Sequence, residues 1–198
     1  MDKFNNKFRI SSARLKGYDY SAEGIYFITI CTKKHFQFFG KITKNEINVT
    51  NDCIQKKDFH AEIETHNYAS LPCNFHYTRI GEKAIEYWKQ IPLHFPFVEL
   101  DEYIVMPNHI HGILYLNNLK HKEWQPNLFM PQSQNLASVI RGFKSSLKRY
   151  ANQYSIEFDW QSRYYDEIIR DEETFLIIRR YIEENPENWC LDKSTNDY

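Results

Sequence analysis

The 198-residue chain predicts an α+β fold, with one antiparallel β-sheet and helices packed on it. Three observations carry that reading. Short runs rich in β-branched and aromatic residues alternate with segments of helical periodicity. Their order is strand, hairpin, helix, two strands, helix, strand, helix, which reads as two β-α-β halves. Hydrophobic residues make up 42% and aromatics 16%, enough to bury one proper core. The ferredoxin-like (RRM-like) sandwich has this order of elements. A single domain over residues 1–198 is expected, with a polar insertion at about 45–78.

Each element has its own signal. "GIYFITIC" (24–31) reads as a strand. "FFGKITKNEINV" reads as a hairpin turning near Lys44-Asn45. From Asn51 to His76 the chain is polar and shows little periodicity, an excursion from the core. "TRIGEKAIEYWKQIP" reads as a helix stopped by Pro92. "FVELDEYIVM" and "HIHGILYL" are two strands joined at Pro107-Asn108, and the two-proline stretch "KHKEWQPNLFMPQSQ" reads as a loop. In "LASVIRGFKSSLKRYAN" (136–152), Leu136, Val139, Ile140, Phe143, Leu147 and Tyr150 share one arc of a helix. "FDWQSRYYDEIIR" contains a strand. The last helix, "DEETFLIIRRYIEENP", has acids at its N-terminus, a core face of Phe175, Ile178 and Ile182, and Pro186 at its end.

Net charge is −1, which disfavours a generally basic nucleic-acid binder, so any such site must come from local placement. No apolar run is long enough to span a bilayer, and "MDKFNNKFRI" has no apolar signal core, so a cytoplasmic protein is expected. Cys31, Cys53, Cys73 and Cys190 are scattered, with no C-x-x-C. That spacing argues against a structural zinc site, and nothing in it suggests a disulfide framework.

The chemistry concentrates in "VMPNHIHGILYL" (105–116). Side chains of a strand alternate faces, so His109 and His111 leave one face and Ile110 the other. Two adjacent imidazoles make half of a divalent-metal site, or a hydrogen-bonded pair on a half-buried sheet. Tyr181 and Asn185 are four apart on the last helix and stack one above the other. They can be a core-edge tyrosine and a C-terminal cap, or they can face the histidines. Two imidazoles and an amide oxygen would leave open positions for water and phosphate oxygens on Mg²⁺ or Mn²⁺. Arg141, Lys144 and Lys148 form a basic stripe on one flank of the 136–152 helix, either solvated or paired with phosphates. Arg14, Lys16, Tyr18 and Tyr20 mix cations with aromatics, either as a surface arm or as a grip on unpaired bases.

Six stretches together resemble the single-tyrosine HUH transposases, and within them the REP-associated tyrosine transposases and their insertion-sequence relatives. They are "RLKGYDYS", "GIYFITICT", "YIVMPNHIHGILYL", "VIRGFKSSLKRY", "WQSRYYDEIIRDEE" and "YIEENPENW", spanning residues 14 to 189. The resemblance implies a metal-dependent enzyme that cleaves and rejoins single-stranded DNA near hairpins through a 5′-phosphotyrosine. It implies Tyr181 as nucleophile, His109, His111 and Asn185 as ligands of Mg²⁺ or Mn²⁺, and a homodimer, nucleoid-associated when bound to DNA. An ordinary phenol is ionised to about one part in a thousand at pH 7, so a nucleophilic tyrosine needs help from its surroundings. No ATP is expected: the sequence lacks a Walker A motif, and the covalent intermediate conserves the bond energy. The chain departs from the family pattern over 45–78. A domesticated relative, or a non-catalytic single-stranded nucleic-acid-binding module with structural histidines, is the alternative.

Overall fold

The computed structural model describes residues 18–44, 73–117 and 134–191, together with the backbone of two short paired segments near the N-terminus. Those segments are β1 (Lys3–Phe4) and β2 (Lys7–Phe8). The elements that follow are β3 (Gly24–Cys31), a 3-10 turn (Lys33–His35), β4 (Gly40–Lys44), β5 (Cys73–Tyr77), α1 (Arg79–Lys89) and α2 (Ile91–His94). Then come β6 (Val98–Met106), β7 (His109–Leu116), α3 (Leu136–Gln153), β8 (Tyr165–Ile169) and α4 (Glu172–Leu191).

Strand order in the main sheet is β6-β7-β3-β8, with every neighbour antiparallel. With α1 after β3 and α3 after β7, this is the β-α-β-β-α-β arrangement of the ferredoxin-like fold. Alternation along β7 divides the molecule into two layers. Ile110, Leu114 and Leu116 enter a core with α1 and α3, where Trp88 and Phe143 are buried. Ile113 enters the opposite core, with Phe27, Met106 and Ile182 of α4. The predicted face of α3 is buried as its periodicity requires, and a capping box starts the helix. Ser138 N–H donates to Asn135 Oδ1 at 2.9 Å and Asn135 N–H to Ser138 Oγ at 3.1 Å.

Gly112 is required on β7, because a Cβ there would lie 2.4 Å from Cζ2 of the fully buried Trp88. Gly81 likewise lets α1 rest on the Phe39 carbonyl oxygen, 2.0 Å from where its Cβ would be.

Several expectations are corrected. The described partner of β4 is β5, with Gly40 opposite Tyr77 and Lys44 opposite Cys73, and the strand expected just beyond Lys44-Asn45 lies outside the described residues. Pro92 does not end the helical path. It lies in the first turn of α2, where its missing N–H breaks no bond. α4 continues through Pro186 to Leu191, because Ile182, Pro186 and Cys190 are buried and packing holds the last turns. Asn185 is therefore inside a helix and does not cap it. Cys190 and Cys73 are disulfide-bonded, tying the β4–β5 ribbon to the end of α4. Arg179 fastens the other side of α4, with Nε 3.5 Å from Asp101 and Nη2 3.9 Å from Glu102. Both acids fall where the β6–β7 register shifts.

Candidate functional site

The site lies where β7 passes beneath α4. His109 and His111 point to the α4 face, with ring centroids 4.4 Å apart. Each ring is oriented by its Nδ1. His109 Nδ1 lies 2.6 Å from Asn108 Oδ1, to which it donates. His111 Nδ1 lies 2.8 Å from Thr29 Oγ1, directly across the β3–β7 pair. With Nδ1 engaged, each ring offers Nε2 to the cleft. His111 Nε2 is 3.4 Å from the Tyr181 hydroxyl. His109 Nε2 is buried and makes no hydrogen bond of normal geometry with a described residue, although the Asn185 side chain is near enough to act on it.

Burial keeps both rings neutral. It pulls His109 down to about 4, offset in part by Asn185 and reinforced by His35. It pulls His111 down to about 3, reinforced by the repulsion that protonating it beside His109 would bring. Neutral imidazole is the form that binds a metal.

α4 contributes the other wall. Tyr181 is about half exposed, its ring 5.2 Å from His111 and 6.3 Å from Phe27, while Asn185 is buried. The cleft they share is open and encloses about 430 Å³. Among the described residues no three His, Cys, Asp or Glu side chains converge as a metal cluster. The donors that do converge are two imidazoles and an amide. Nε2 of His109 is a buried polar atom without a hydrogen bond of normal geometry, and a donor set of two imidazole nitrogens and an amide oxygen suits Mg²⁺ or Mn²⁺.

The DNA-contact residues expected from sequence are spread out. Arg14 and Lys16 lie outside the described residues. Tyr18 packs edge-on against buried Tyr20 at 5.2 Å and supports the core on the α1/α3 side. Arg141 is exposed on α3. Lys144 and Lys148 have structural engagements. Lys144 Nζ donates to the carbonyls of Gln161 and Arg163, at 2.7 and 2.9 Å, and burial lowers its pKa. Lys148 Nζ donates to the Phe158 carbonyl at 2.5 Å and lies 3.7 Å from Asp159.

Sequence reasoning missed Thr29, Cys31, His35, Asn108, Asn188 and Trp189, which also line the cleft. Two of them left a signal. Trp189 follows Asn185 by four, as Asn185 follows Tyr181, so one helix face carries all three. Asn108 is adjacent to His109 in the tight β6–β7 turn.

No protein-family model matches the chain. An uncharacterized protein of Haemophilus influenzae is 36% identical over 191 residues, covering 92% of this chain and 91% of its own length. Among solved structures, a REP-associated tyrosine transposase bound to a REP hairpin superposes with a TM-score of 0.51 at 16% identity, covering 97% of this chain and 80% of that one. A second structure, a putative transposase from Deinococcus radiodurans, superposes with a TM-score of 0.36 at 15% identity, covering 88% of this chain and 97% of that one.

Proposed function

The chain belongs to one family with the uncharacterized Haemophilus influenzae protein and has the fold of a REP-associated tyrosine transposase, and from that premise we propose that it is a metal-dependent single-tyrosine DNA strand transferase. The observation that carries the proposal is the convergence of the Tyr181 hydroxyl on the His109–His111 pair in one open cleft.

His109, His111 and Asn185 would hold Mg²⁺ or Mn²⁺, which supplies charge balance to a phosphate lying against Tyr181. Asn108 Oδ1, an acceptor, keeps His109 in the tautomer with Nε2 free, and Thr29 Oγ1 holds the orientation of the His111 ring. The Tyr181 oxygen attacks phosphorus, and the bond to the 3′ oxygen breaks. The products are a 5′-phosphotyrosine and a free 3′-OH. The phenol proton leaves to solvent, to which half-exposed Tyr181 is open, and the departing 3′ oxygen takes a proton from solvent. Attack by a second 3′-OH reverses the step and rejoins the strand without ATP. The substrate is single-stranded DNA flanking a hairpin, and the working form is a homodimer in the cytoplasm, on the nucleoid when bound to DNA. No helix among the described residues is long and apolar enough to cross a membrane.

The test is a denaturing gel of the protein with end-labelled, hairpin-bearing single strands and Mn²⁺. A covalent protein–DNA band that disappears on chelation is expected. Mn²⁺-independent binding without any covalent band would favour a non-catalytic binding module instead.

A further inference from the structure

Four consecutive exposed residues, Lys33, Lys34, His35 and Phe36, stand between the Tyr181 cleft and a second cavity of about 340 Å³. His35 lines the cleft. Lys33, Lys34 and Phe36 line the second cavity, with Phe38, Phe158 and Lys148 behind them.

This short wall is held in an unfavourable shape. Lys34 and His35 both have positive φ, 54° and 57°, a conformation that costs an L-residue energy and tends to be kept where it serves a site. The anchor is Thr32, which is fully buried. Its hydroxyl is 2.7 Å from the Phe36 carbonyl and 2.9 Å from the Asn108 carbonyl, to which its N–H also donates at 2.9 Å. Asn108 is the residue whose side chain orients His109. The wall and the histidines therefore share one support, and their relative position is fixed.

What the wall presents is an aromatic ring and free charge. Phe36 is 53% exposed, and its ring contacts Phe38 only edge-on at 5.8 Å. Lys34 has no hydrogen-bond or ion-pair partner among the described residues. The carboxylates facing the cavity are Glu157 and Asp159, and Asp159 is already paired with Lys33 at 2.9 Å and Lys148 at 3.7 Å. An aromatic surface beside an unpaired cation, Lys34, is what single-stranded nucleic acid requires: a base stacks on the ring and the backbone pairs with the charge. Lys144 and Lys148 of the α3 stripe donate instead to backbone carbonyls.

We propose that this cavity receives the nucleotide adjoining the scissile phosphate, with Phe36 stacking on its base and Lys34 pairing with its phosphate. The proposal rests on the strand-transfer reading of the neighbouring cleft and assigns the strand's path out of it.

The probes are oligothymidylate of about 15 nucleotides, within single-strand site sizes, and an abasic strand of equal length. Phe36→Ala is expected to weaken oligothymidylate binding by about five-fold or more and to leave abasic binding unchanged. Lys34→Ala should weaken both and flatten the log–log salt dependence by about 0.7. Both side chains are exposed, so thermal unfolding should match wild type. Wild-type affinities in both variants, or no binding of oligothymidylate by wild type, would overturn the subsite. A covalent adduct in wild type together with unaltered binding by Phe36→Ala would refute the subsite and leave the nucleophile intact. Phe36-dependent binding with no adduct on any hairpin-bearing strand would support the subsite and refute strand transfer.

Discussion

Replacing Tyr181 with phenylalanine removes one oxygen and separates chemistry from folding. Tyr181 is about half exposed, and the partner of its hydroxyl is His111 Nε2 at 3.4 Å, long for a hydrogen bond. A typical intramolecular hydrogen bond contributes about 1 kcal/mol net, and one this long contributes less. The ring contacts with Phe27 at 6.3 Å and His111 at 5.2 Å survive the substitution. Stability should therefore change by less than about 1 kcal/mol, equivalent to roughly 2–4 °C in Tm for a chain of this size. The covalent adduct should vanish completely. The assay pairs thermal unfolding with the denaturing gel, comparing phenylalanine at 181, 164 and 165. Tyr164 packs with the α1/α3 core, on the other side of the sheet. Tyr165 is the serious rival, since its ring lies 6.3 Å from the same Phe27. Its hydroxyl donates to Glu167 at 3.0 Å, however, and that bond raises its pKa and makes it harder to ionise. An adduct that persists in Tyr181→Phe and is lost in Tyr165→Phe would refute the assignment.

Calorimetric titration of wild type with Mn²⁺ should show saturable heat, which the His109→Ala, His111→Ala double variant abolishes; equal binding by both proteins would eliminate the ligand set. Gly112→Ala should cost about 1–3 kcal/mol in urea unfolding through overpacking, because the new methyl meets Trp88 at 2.4 Å and that indole is wedged between Tyr103 and Phe143; an unchanged midpoint would contradict the packing. Metal-free protein should lose stability in mild acid. Both histidines have folded pKa values below the unfolded value of about 6.5, so the unfolded chain binds more protons as pH falls toward 4. The loss should be on the order of 2 kcal/mol per histidine by pH 5, since both folded values, about 4 and about 3, lie below that pH. Constant stability between pH 7 and 5 would show that the rings are not desolvated.

The parts of the molecule legible in sequence are those set by local period. Alternation put His109 and His111 on one face of β7, and the 3.6-residue repeat identified the buried face of α3. What local period cannot express is partner choice. Gly40–Lys44 finds its partner at Cys73–Tyr77, across a segment whose sequence offers a nearer hairpin. Lys144 and Lys148 look like free cations on a helical wheel, but only the folded 158–163 segment brings carbonyls to them. Thr29 was illegible for the same reason, since its link to His111 exists only through the β3–β7 register.

Pro186 gives α4 an uneven mechanical character. Lacking an N–H, it cannot donate to the Ile182 carbonyl, so one rung of the helical ladder is missing. That rung would have closed the turn between Tyr181, which carries the hydroxyl, and Asn185, which faces His109. Downstream, the helix is fastened by Cys190 to β5, and upstream Arg179 is tethered to β6. The compliant turn thus lies between two clamped ends. Any adjustment of the chain between Tyr181 and Asn185 therefore breaks no hydrogen bond at the Ile182 carbonyl.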